Sequence, residues 1–91
     1  MTAQRIDPKV FGLHHSTVIE VVDEQTLALV VKRKSRLIMK DGKKLLAKAA
    51  RIREVRPDVR VILRSSAPIC SKTRRMLEEA LVPVHLMEPP E

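Results

Sequence analysis

The stretch Thr17-Val18-Ile19-Glu20-Val21-Val22, then Asp23-Glu24-Gln25, then Thr26-Leu27-Ala28-Leu29-Val30-Val31 decides the fold. Both outer runs are short and rich in β-branched residues, whose stiff side chains suit a pleated backbone, so they predict two strands. Three polar residues between them leave room only for a tight connection, and that predicts an antiparallel hairpin. The runs are close to continuously apolar instead of alternating, which predicts a sheet with both faces covered.

Outward toward the C-terminus the periodicity changes. Leu45, Leu46, Ala49, Ile52 and the stem of Arg56 fall on one side at 3.6-residue spacing and predict a helix, with Asp41 as its N-cap and Gly42 just inside. Pro57 ends it, because the residue before a proline is pushed out of the α region. Val59-Arg60-Val61-Ile62-Leu63 predicts a third strand, and Ser65 to Ile69 a loop containing Pro68. A second helix starts near Ser71, turns Met76, Leu77, Ala80 and Leu81 inward, and stops at Pro83; Val84-His85-Leu86-Met87 predicts a last strand. The order β-β-α-β-α-β specifies an α/β domain, a small mixed sheet with helices packed on it. This places a single domain at 17–87, an N-terminal arm at 1–16 anchored through Val10, Phe11 and Leu13, and a Pro-rich tail at 88–91.

The chain has 91 residues, enough for one hydrophobic core, and 44% of them are hydrophobic against 32% charged, as in a folded globule. A single Cys rules out a disulfide framework and zinc sites built on paired cysteines. No apolar run reaches the roughly 20 residues that span a bilayer, and the N-terminus has no signal-peptide pattern, so a cytoplasmic setting without membrane contact is expected. Phe11 is the only aromatic residue, which argues against modules that stack bases on aromatic rings.

Charge is unevenly distributed. Lys32 to Arg75 holds 16 basic residues and 3 acids, a block of +13; Arg5 and Lys9 against 8 acids give the remainder −6, and the sum is the formal +7. A block so basic calls for a polyanion, DNA or RNA, or for an acidic protein surface. Within it, Lys32 and Lys34 alternate on one strand face, and Lys44, Lys48 and Arg51 form a stripe on the polar side of the first helix. Ser71, Lys72 and Arg74 stand at the start of the second helix, where free N–H groups already favour an anion. These eight residues are the expected nucleic-acid contacts, made to the phosphate backbone.

No complete catalytic motif accompanies them. Cys70 is followed too closely by Arg74 and Arg75 for a phosphatase loop, and in Ala67-Pro68-Ile69-Cys70 an alanine stands where a thiol oxidoreductase has its first cysteine. His14 and His15, adjacent on an extended chain, would point to opposite sides, and with His85 they make no spaced set of metal ligands.

The hairpin, helix, strand, helix and strand over roughly Thr17 to Met87 resemble the core of the restriction-endonuclease-like nucleases. In that family an acid in the hairpin and an acid-x-lysine on the next strand hold a divalent metal. The resemblance implies Asp23 as the first acid, with Glu20 or Glu24 nearby, and Lys32 as the lysine. Val30 stands where the second acid belongs, which weakens any hold on Mg²⁺. The sequence therefore puts binding ahead of catalysis: a nucleic-acid-binding domain with no cofactor and no metal. The alternatives are a degenerate nuclease using Glu20, Asp23, Lys32 and Mg²⁺, and a protein-interaction module, homodimeric through a free sheet edge.

Overall fold

The computed structural model describes residues 4–86; residues 1–3 of the expected arm, Met87 of the expected last strand and the tail 88–91 lie outside the described residues. The predicted hairpin is present as β2 (Val18–Asp23) and β3 (Thr26–Val31), antiparallel, with Ile19 opposite Leu29 and a register shift beside the turn. β4 (Arg60–Ser65) and β5 (Val84–Leu86) follow in parallel, with Leu29 opposite Leu63 and Leu63 opposite Val84. Part of the expected arm joins the sheet: β1 (Gln4–Ile6) pairs antiparallel with β2 at its edge. The sheet is thus five-stranded and mixed, in the order β1-β2-β3-β4-β5.

α1 (Met39–Val55) connects β3 to β4, and α2 (Ser71–Glu79) connects β4 to β5. Leu45, Ala49 and Ile52 of α1 and Leu77 of α2 share one buried core with Ile19, Leu27, Leu29, Val61, Leu63 and Val84, which alternate along the strands. One further member, Phe11, comes from a short 3-10 turn at Pro8–Phe11, so the lone aromatic is a core anchor; Leu13 is half-buried against that core, while Val10 is exposed. Neither Ala28 nor Val30, the opposite parity of β3, belongs to this core, although both are buried.

The expectation that helices cover both faces is therefore corrected. α1 and α2 lie together on one face, so close that a Cβ on Gly42 would sit 2.6 Å from Thr73 Cγ2 and 2.8 Å from Met76 Cε. On the other face an ion pair does the covering. Arg64 on β4 reaches Glu20 on β2 at 3.2 Å, across the intervening β3. Adjacent strands lie about 4.8 Å apart, so two long side chains bridge over a third strand only where it carries something small. Ala28, registered between Glu20 and Ile62, is small and wholly buried.

Helix ends also differ from the sequence expectation. α1 starts three residues earlier than an Asp41 cap requires, with Ile38 as N-cap. Asp41 acts from inside the first turn, where its Oδ2 accepts the Ile38 N–H at 3.0 Å. α2 stops before Pro83 is reached, because Leu81 turns left-handed at φ 63° and the Val82 N–H bonds to Leu77 O at 2.8 Å. That bond closes a Schellman turn without the usual glycine. Arg53 of α1 donates to Ala80 O at 3.1 Å and Leu81 O at 2.6 Å, placing a cation at the negative end of α2. Among the described residues, no helix is long and apolar enough to cross a membrane.

Candidate nucleic-acid interface

Because β3 and β4 are parallel, their C-terminal ends lie on the same edge of the sheet, and α1 and α2 both start there. In open α/β sheets this edge is where ligands gather, since two helix N-termini and two loops converge on it. The two loops are joined directly. Leu37 N–H donates to Pro68 O at 2.8 Å, Cys70 N–H donates to Leu37 O at 3.1 Å, and Leu37 and Ile69 form a parallel bridge. A buried Leu37 holds the junction in the core.

Most of the expected contacts lie on the elements that meet at this junction. Lys32 and Lys34 follow the end of β3 at Val31 and so lie in a loop, not on the strand face expected; Lys44 stands in the first half of α1 and Lys48 just past its middle, and Ser71, Lys72 and Arg74 begin α2. The sequence alone could not decide whether these cations form one region, since that depends on which strands are neighbours. Arg51 extends the α1 stripe but is engaged elsewhere, paired with Glu54 at 3.3 Å and packed over Gly12, whose added Cβ would meet Arg51 Nη2 at 2.6 Å. Arg74 is partly neutralised by Glu78 at 3.6 Å. A hollow of about 270 Å³ lies beside it, lined by Ser71, Lys72, Arg75, Met76 and Glu79.

A larger cavity, about 480 Å³, opens between the hairpin and α1. Ser16, Thr17, Arg33, Asp41, Lys44 and Lys48 supply its polar wall, and Val18, Val30, Leu37 and Leu45 are among its apolar residues. Arg33 and Asp41 are a pair at 2.7 Å, and Arg33 also donates to the Arg36 carbonyl at 3.1 Å, which fixes the loop between β3 and α1. The Ile38 N–H and the Arg33 guanidinium hold the Asp41 carboxyl below the usual carboxylate range. Lys44 and Lys48 have no carboxylate partner among the described residues. Thr17 is 7% exposed, and its buried Oγ1 has no hydrogen-bond partner. Sequence reasoning missed Thr17, Ser16, Arg33 and Asp41 as site residues, because only the hairpin register and the α1 packing bring them beside the lysines.

At the start of α2, the Thr73 and Lys72 N–H groups lower the pKa of the Cys70 thiol, and the Thr73 hydroxyl and Lys72 charge act in the same sense. His14 and His15 do not diverge as expected. The chain bends there, their ring centroids are 4.2 Å apart, and His14 Nδ1 is 2.7 Å from Ser16 Oγ.

The residues implied by the nuclease resemblance do not converge. Asp23 pairs with Thr26 at the turn, whereas Lys32 follows Val31 at the far end of β3; at about 3.3 Å per residue they are roughly 20 Å apart. Glu20, opposite Ala28, is roughly 13 Å from Lys32 by the same spacing and is committed to Arg64. The three cannot hold one Mg²⁺. Among the described residues no group of three His, Cys, Asp or Glu side chains lies close enough to bind a metal ion.

No protein-family model matches the chain, and no curated protein does. Two solved structures share its fold. A structure of EndoMS in apo form aligns with a TM-score of 0.65 and 25% identity over 82% of this chain, and an EndoMS complex with double-stranded DNA with a TM-score of 0.73 and 23% identity over 98%. The chain spans 33% and 38% of those two chains, about a third of their length. The domain is a small mixed α/β unit whose fold is partially and distantly similar to that of EndoMS.

Proposed function

We propose that this domain binds nucleic acid through the sugar–phosphate backbone, at the edge where α1 and α2 begin, and does so without cleaving it. The observation that carries the reading is the Leu37–Ile69 junction, which sets two helix N-termini and their cations side by side. Lys32, Lys34, Lys44, Lys48, Lys72 and Arg74 then offer positive charge to successive phosphates, and Ser71 adds a hydroxyl. Such contacts position a duplex without reading its sequence. Structural likeness to a protein seen in complex with double-stranded DNA supports a duplex partner.

The test is binding to a short duplex and a matched single strand across a salt series. Six phosphate contacts give a slope of log K against log [salt] of about −5 on duplex DNA. Lys44→Glu and Lys72→Glu, on different helices, should each weaken binding and flatten the slope. Absence of binding at low salt would remove nucleic acid from the account.

A metal-dependent nuclease is the second reading, favoured by the likeness to EndoMS. Incubating duplex DNA with the protein and Mg²⁺ or Mn²⁺ separates the two. Cleavage would establish the nuclease, and its ligands would have to be found outside the separated set Glu20, Asp23 and Lys32.

A further inference from the structure

We propose that the 480 Å³ cavity between the hairpin and α1 is a metal-free seat for the terminal phosphate of a nucleic-acid strand, held by Lys44, Lys48 and Thr17. The inference rests on the nucleic-acid reading and narrows it from a backbone surface to a strand end.

Three observations point the same way. The first is charge. Of the four charged residues in the wall, Arg33 and Asp41 neutralise one another at 2.7 Å. What is left is Lys44 and Lys48, four residues apart on one helix face and so about 6 Å apart at Cβ. Two ammonium groups match a phosphomonoester, which carries about −1.5 to −2 at pH 7, better than a diester carrying −1.

The second is Thr17. A buried hydroxyl without a partner is destabilising, and such groups are few in folded proteins; among the described residues only Thr17 Oγ1 and Thr73 Oγ1 are of this kind. Thr17 lines the same cavity as the two lysines, and a phosphate oxygen would accept its proton. The third is the remainder of the wall. Val31 and Leu45, on the helix-covered side of the sheet, are apolar and can pack against the sugar or base next to the phosphate, which a site for a bare ion would not need. The concave shape favours a chain end, because a continuing strand would have to enter and leave the same cavity.

The experiment compares one oligonucleotide with a 5′-phosphate, a 3′-phosphate or hydroxyls at both ends, by fluorescence anisotropy at fixed salt without divalent ions. One phosphorylated form should bind about tenfold more tightly than the hydroxyl-ended form. That ratio should fall to about one in Lys44→Gln/Lys48→Gln and shrink in Thr17→Val, whose melting temperature reports whether it has folded. Equal, salt-sensitive affinity for all three oligonucleotides would overturn the strand-end seat and leave the backbone reading standing. A ratio unchanged in the variants would overturn the assignment to this cavity.

A second measurement covers the case in which no oligonucleotide binds. Deoxyadenosine 5′-monophosphate and inorganic phosphate are titrated against the ¹⁵N-labelled protein. Shifts centred on the amides of Thr17, Lys44 and Lys48 with the nucleotide would support the phosphate seat while the nucleic-acid reading fails. No shift with either would overturn the seat as well.

Discussion

Gly42→Ala sets two quantities of opposite sign against each other. Alanine is favoured over glycine inside a helix by about 0.8–1 kcal/mol. Gly42, however, faces α2, and the new methyl would lie 2.6 Å from Thr73 Cγ2 and 2.8 Å from Met76 Cε. Met76 can yield, since Cε is the end of a flexible chain. Thr73 cannot, because it is wholly buried at the helix contact. Overpacking of this kind costs about 1–3 kcal/mol, so the balance is a destabilisation of about 1 kcal/mol, equivalent to a fall in Tm of about 4–8 °C for a domain of this size. Thermal and urea unfolding followed by far-UV circular dichroism measure it. Thr73→Ser removes the obstructing methyl and should relieve the cost in the double variant, with a coupling of about 1 kcal/mol in a double-mutant cycle. A Gly42→Ala protein that melts several degrees higher, or two substitutions that simply add, would refute the close approach of α1 and α2.

Leu81 is 76% exposed and left-handed, so Leu81→Gly loses almost no burial, relieves the αL penalty and should raise stability by about 0.5–1 kcal/mol in urea titrations. Arg53→Met keeps the aliphatic stem but strips two donors from the α2 carbonyls, and should cost about 1–2 kcal/mol in the same assay. Asp41 has its pKa lowered on folding, so its contribution to stability is present above the ordinary carboxylate pKa and is lost as pH falls through the lower folded value; Asp41→Asn should flatten the acid limb of a Tm-against-pH curve. Cys70 should react with iodoacetamide at a half-maximal pH below the ordinary 8.5 or so of a free thiol, and urea unfolding should return it to that value.

The central strands were legible because β-branched runs of strand length bounded by polar residues have few other uses; β3 starts at Thr26 as expected but ends at Val31, so Lys32 and Lys34, expected on a strand face, lie beyond it. β1 was not legible. Gln4-Arg5-Ile6 is three residues long, mostly polar, and becomes a strand only because β2 offers it an edge. The start of α1 was misread for a related reason. Ile38 has no side-chain oxygen, so the N-cap carries no signal, and Asp41 serves the same N–H from three residues further on. The turn after α2 looked like the work of Pro83, while the actual reversal is at Leu81, a residue type that gives no hint of positive φ. At the site, the helical spacing of Lys44 and Lys48 was readable. The Arg33–Asp41 pair, the unpartnered Thr17 and the Leu37–Ile69 junction depend on contacts between elements, and no local pattern encodes them.

The placement of charge relative to the helix ends is the strongest reason to treat this edge as functional. A helix is stabilised by acids in its first turn and bases in its last, by about 0.3–1 kcal/mol for each exposed charge. α2 inverts that order, with no acid in its first turn, no base in its last, and Lys72, Arg74 and Arg75 near its start. Its negative end is served by a cation borrowed from another helix, Arg53. α1 has a single acid, Asp41, in its first turn, with Lys40, Lys43 and Lys44 around it. Selection for stability or solubility alone would distribute these cations differently, since a surface lysine is equally soluble at either end of a helix. Concentrating them on two positive helix ends raises the free energy of the unliganded chain. An anion bound at the edge, as proposed, would lower it again, so the same residues that weaken the free domain would strengthen such a complex.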